Sequence, residues 1–135
     1  MIEKLAIKVS GQGLWCITDR VVTCVERSGV EEGICNLFIR HTSASLLVQE
    51  NYDPSAKRDL ENWLNRLVPE HDPLYTHLQE GADDMPAHIK AALTATNLSI
   101  PFQHGRLLLG SWQGIYLWEH RRSAQVRELV VHVSE

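Results

Sequence analysis

Apolar and polar positions alternate in short blocks along the chain. "LAIKVS" reads as a strand, and "GLWCIT" as a second one after the Gly11-Gln12-Gly13 turn. In "DRVVTCVERSG" the period lengthens to that of a helix. Val21, Val22 and Val25 gather on one side, and Gly29 is placed to stop it. "ICNLFIRH" returns to period two. Cys35, Leu37, Ile39 and His41 share one face; Ile34, Asn36, Phe38 and Arg40 share the other. After the small polar turn "HTSA", "SLLVQE" is another strand.

The spacing in "DPSAKRDLENWLNRLVP" predicts a helix with Asp53 as N-cap and Pro54 at its first position. Leu60, Trp63, Leu64 and Leu67 make its stripe, and Pro69 ends it. Residues 70–83 form a polar connection long enough to be functional. "PAHIKAALTAT" is a further helix. "LSIPF", "RLLLGSW", "GIYLWEH" and "VRELVVHV" read as strands joined by short turns, most simply a meander. In the third of these, Gln113, Ile115, Leu117 and Glu119 share the side expected to face inward. Strands and helices come in blocks, without repeat or linker. The expectation is a single-domain α+β sandwich of mostly antiparallel sheet with about three helices, over 1–135.

Composition narrows the function. At 135 residues, 44% hydrophobic and 22% charged, the chain can build a full core without metal or disulfide. A net charge of -4 argues against a general nucleic-acid binder, although Arg121, Arg122 and Arg127 form a small local basic cluster. Cys16, Cys24 and Cys35 are odd in number and lack C-x-x-C spacing, which suits a reducing compartment. Neither a signal peptide nor a membrane-length apolar run is visible. The expected location is the cytoplasm.

Candidate chemistry concentrates in "GADDMPAHIK". Asp84 and His88 stand four apart, a spacing that lets both reach one metal ion or one another. The same residues also suit a helix start, with Asp83 or Asp84 capping it and favouring the positive end of the dipole. His77 and Glu80 precede them, so five potential ligands fall within twelve residues. His41 ends an apolar row, where a core can open to a pocket mouth. Glu119, on an inward face, needs an arginine, a metal or a ligand as partner. Ser43 and Ser45 have no G-x-S-x-G elbow and no identifiable base, and no P-loop is present.

Three motifs are familiar together. "HTSASLLVQENYDP" (41–54), "EGADDMPAHIK" (80–90) and "GRLLLGSWQGIYLWEHR" (105–121) resemble the YjbQ-like family, in order over nearly the whole chain. The resemblance implies an α+β sandwich assembling as a homotrimer and a metal-associated pocket. It also implies a weak secondary thiamine-phosphate synthase activity, joining hydroxymethylpyrimidine diphosphate to thiazole phosphate with loss of diphosphate. Carried over by position, the site residues are His41, Asn51, Asp53, His77, Glu80, Asp83, Asp84, His88, Gln113 and Glu119. Leu78 and Gln79 depart from the family pattern. On this reading His41, His77, Asp84 and His88 hold a divalent ion, Mg²⁺ or a transition metal such as Zn²⁺. Catalytic roles fall to His41, His77, Glu80, Asp83 and Glu119. Asn51, Lys90, Arg106 and Gln113 are candidate contacts to the phosphorylated small molecule, and Trp112 could stack on its ring or pack in the core. The rivals are a non-enzymatic metal-dependent binding module and a metal-assisted hydrolase.

Overall fold

The computed structural model describes residues 1–135. Its elements run β1 (Ile2–Val9), β2 (Gly13–Cys16), α1 (Thr18–Ser28), β3 (Glu32–Ile39), β4 (Ala44–Glu50), α2 (Pro54–Leu67), α3 (Asp84–Leu93), β5 (Asn97–Gln103), β6 (Arg106–Leu107), β7 (Gln113–Glu119) and β8 (Gln125–Ser134). One sheet has the order β1-β8-β3-β5-β6, the other β2-β7-β4, and all pairs are antiparallel. The expected antiparallel α+β sandwich with three helices is what forms. The last four strands do not make one meander, however. β7 leaves for the second sheet, β8 inserts between β1 and β3, and "RLLLGSW" pairs only through Arg106–Leu107.

Period two decides which side chains enter the core. Leu5, Ile7 and Val9 of β1, Cys35, Leu37 and Ile39 of β3, and Leu129, Val131 and Val133 of β8 line one inner face. Ala44, Leu46, Ile115 and Leu117 of the second sheet meet them, together with α1. Each such aliphatic side chain contributes about 1.5–3 kcal/mol by leaving water. On α1 the buried residues are Val21, Cys24 and Val25. Cys24 replaces the expected Val22, because positions three and four along, not one along, share a helix face. Gly29 caps α1 in the left-handed conformation, as its position suggested.

The second sheet is covered on both sides. Its outer face puts Leu14, Tyr116 and Trp118 against Leu64 and Val68 from α2 and its C-terminal end. This is why residues 114–120 are buried without alternation, while Gln113, expected inside, is exposed. α2 starts as expected, with Asp53 Oδ1 accepting from Ser55 N at 2.9 Å. Of its predicted stripe only Leu64 is buried, whereas Trp63 and Leu67 are 50% and 53% exposed. The helix rests on the narrow three-stranded sheet along a single row.

Candidate metal centre

α3 begins two residues before Pro86, in the first turn, where a missing amide breaks no helical bond. This start sets Asp84 and His88 one turn apart on the same side. Asp84 is buried, and its Oδ2 lies 3.1 Å from His88 Nε2 and 2.7 Å from His77 Nε2. His77 reaches in from the 70–83 connection. The three ligand atoms lie within 4.8 Å of one another.

Arg121, just beyond β7, closes the other side. Its Nη1 donates to Asp84 Oδ1 at 2.8 Å, its Nε to Asp83 Oδ2 at 3.1 Å, and its Nη2 to the Glu80 carbonyl at 2.8 Å. Asp83 Oδ2 also accepts from Arg122 N at 2.8 Å. Asp83 therefore stands at the N-cap position of α3 without capping it through its side chain. Asp84 faces the histidines, so neither carboxylate serves as the cap that the sequence suggested.

Burial pushes both carboxyl groups up, yet both end below the usual range. For Asp84 the bond from His77 and the charges of His88 and Arg121 outweigh burial; for Asp83 the bonds from Arg122 N and Arg121 do so. His88 Nδ1 donates to the Thr42 carbonyl at 2.9 Å. With Nδ1 committed to that bond, Nε2 is the ring nitrogen that faces the carboxylate oxygen, carrying a second proton in the charged ring or a metal ion in its place. Two lone pairs at 3.1 Å require a proton or a cation between them. The donor set, two imidazoles and one carboxylate, therefore fits a divalent ion.

The other sequence candidates lie elsewhere within the chain. His41 is not in this group. Its Nε2 accepts from Glu128 N at 2.8 Å, and burial with the nearby Arg127 charge holds its pKa below the usual histidine range. Glu119 is fully buried and spent on Arg127, whose Nε and Nη2 reach it at 2.6 and 2.5 Å. An arginine is thus the partner its burial demanded. Glu80 keeps its side chain exposed and approaches the cluster through its carbonyl. Asn51 and Gln113 meet at the opposite end of β7, where Asn51 Nδ2 approaches the Gln113 carbonyl at 3.5 Å. A strand of seven residues places them about 20 Å from its other end, too far to share a ligand with Asp84 in one chain. Arg106 is exposed on β6. Trp112 is 56% exposed and edge-on to Tyr52 at 4.7 Å, so it is not a core residue. Lys90 is buried on the far flank of α3.

Sequence reasoning missed Arg121 as the organiser of both aspartates, since the chain alone shows it only as part of a basic cluster. It also missed the base beside Ser45. His120 Nε2 and Ser45 Oγ are hydrogen-bonded at 2.9 Å, both fully buried. Burial, then the Lys90 and Arg127 charges, lower the His120 pKa to about 3. The available signal was the polar ending "EHR" of an otherwise apolar strand.

Comparison with known proteins agrees across the chain. The family model described as "UPF0047 protein YjbQ-like" matches residues 3–135. A UPF0047 protein of Synechocystis is 50% identical over 132 residues, 98% of this chain and 90% of the relative. The UPF0047 protein YjbQ of Escherichia coli O157:H7 is 39% identical over 129 residues, 95% of this chain and 93% of the relative. Among solved structures, an uncharacterised conserved protein of Clostridium acetobutylicum superposes with a TM-score of 0.90 at 34% identity, covering 98% of this chain and 99% of that one. A conserved hypothetical protein of Thermus thermophilus gives 0.88 at 35% identity, with the same coverage.

Proposed function

The chain belongs to the UPF0047 family of YjbQ-like proteins, and from that premise we propose a metal-dependent protein acting on a phosphorylated small molecule, in the manner of a thiamine-phosphate synthase. The observation that carries the reading is the convergence of His77, Asp84 and His88 on one point, with Thr42 fixing the His88 tautomer. A bound divalent ion supplies the positive charge that a departing diphosphate requires. His77 and His88 would hold it through Nε2 and Asp84 through Oδ2. Arg121 fixes the plane of the Asp84 carboxylate, and Glu80 is the exposed carboxylate at the rim that can exchange a proton. Two imidazoles with one carboxylate suit zinc, nickel or manganese better than magnesium.

A second reading has its own support. Asp83, Glu119 and His41, expected to do acid–base work, are each spent on a structural bond. That favours a non-enzymatic module holding the phosphorylated ligand on its metal; a metal-assisted hydrolase would use the same cluster. In either case the proposal includes a cytoplasmic homotrimer without nucleic-acid partners. The three free thiols, the charge of -4 and the exposed Ile2, Phe38 and Val126 on the outer sheet face support it. No helix is long and apolar enough to cross a membrane.

Two measurements test the reading. Metal content of purified protein should fall in His88→Ala, and unchanged content removes His88 as a ligand. Expression in a strain lacking thiamine-phosphate synthase should restore growth. Failure there, with metal retained, leaves the binding module.

A further inference from the structure

Lys90 is 4% exposed, yet none of the ion pairs of the fold includes it. Lysine is almost never buried without a charged partner. Its hydrogen bond goes to Asn65 Oδ1 at 2.5 Å, which leaves the other ammonium protons without a protein acceptor. Glu70 and Asp83 act on it only from beyond ion-pair distance.

Lys90 borders a cavity of about 170 Å³, walled by Gln12, Glu61, Asn62, Asn65, Trp118 and His120. Such a volume equals roughly six waters at about 30 Å³ each. The amides are wired in series. Asn65 Nδ2 donates to Gln12 Oε1 at 3.3 Å, and Gln12 Nε2 to the His120 carbonyl at 3.1 Å. Each of these amides keeps a second N–H. Glu61 is the one carboxylate on the wall, and its Oε2 accepts from Leu14 N at 2.7 Å. Gly13 makes that approach possible, since a Cβ there would collide with the same oxygen.

We propose that this cavity is a binding site for a small oxyanion, a phosphate or a carboxylate, which supplies the counter-charge that buried Lys90 lacks. The Asn62, Asn65 and Gln12 amides donate around it. The Glu61 charge favours a monoanion over a polyanion. The site is separate from the metal centre, because Lys90 projects about 160° around α3 from His88 at 100° per residue. It therefore does not depend on the proposed function.

Calorimetric titration at fixed ionic strength, with inorganic phosphate and with acetate, tests it. One ion should bind per chain of wild type, and the preferred shape tells phosphate from carboxylate. Lys90→Met should abolish binding. Asn62→Asp, on the exposed face of α2, should weaken it roughly tenfold by placing a like charge at the cavity, and remains informative if Lys90→Met does not fold. His88→Ala should bind as wild type does. No saturable binding of either ion to wild type, unchanged affinity in Asn62→Asp, or loss of binding in His88→Ala would each overturn the proposal.

Discussion

Arg121 Nη1 stands 2.8 Å from Asp84 Oδ1, while the other oxygen of that carboxylate faces the imidazoles of His77 and His88. A group that holds a ligand without touching the metal sets its orientation and basicity. Arg121→Gln should lower zinc affinity about 10–100-fold while leaving all three ligand residues in place. Competition with a chromogenic chelator measures this. Equal affinity in the variant would mean that Asp84 is oriented without the guanidinium.

Glu119 and Arg127 form a buried pair, with Ser43 Oγ also accepting from Arg127 at 2.9 Å. Glu119→Gln keeps the shape and strands the arginine charge. Destabilisation of about 3–5 kcal/mol is expected, read as a lower denaturant midpoint. Metal affinity of the folded fraction should not change. If instead stability holds and activity disappears, Glu119 has a chemical role beyond its ion pair.

His120 couples stability to pH. Its pKa is near 3 when folded and near 6.5 in the free chain, so between those values the unfolded state binds the extra proton. Its contribution is complete above pH 6.5 and is lost as pH falls toward 3. The slope reaches at most about 1.4 kcal/mol per pH unit. Asp83 and Asp84, also lowered, act in the same direction but only below the ordinary aspartate range. Denaturant midpoints measured from about pH 7 to about pH 4.5 should fall in wild type and fall less in His120→Gln, where the lowered His41 still contributes. Parallel curves would rule out His120 as the source.

Gly29 ends α1 at φ 70° with open space around it. The cost of a side chain there is backbone strain alone. Gly29→Ala should lose about 1–2 kcal/mol, and Gly29→Asn less, as thermal denaturation will show.

Features governed by near neighbours were legible in the chain. The α1 stop at Gly29, the Asp53 cap and the β3 phase depend on residues a few positions apart. So does most of the His77–Asp84–His88 group, which spans one loop and one helical turn. Partners far apart were not legible. Lys90 meets Asn65 across 25 positions, Arg121 meets Asp84 across 37, and Ser45 meets His120 across 75. His41 ends an apolar row, which is why the sequence points it to the cluster, and the strand does carry that row inward. Its end, however, turns toward β8, where a backbone amide takes the imidazole. Trp63 and Leu67 have helical spacing, but spacing does not say how wide the opposing surface is. A three-stranded sheet offers room for one row.

The place of β8 between β1 and β3 bears on how the protein is made. β1 and β3 emerge early from the ribosome but have no edge to share. Their joining strand is the last element of the domain, ending at Ser134, and it also anchors the Met1 ammonium through the Val133 carbonyl at 2.8 Å. The large sheet therefore cannot close during synthesis of residues 1–124. Until then β1 has no paired neighbour and the facing edge of β3 is open, so a chain stalled before β8 exposes strand edges on which other chains can pair.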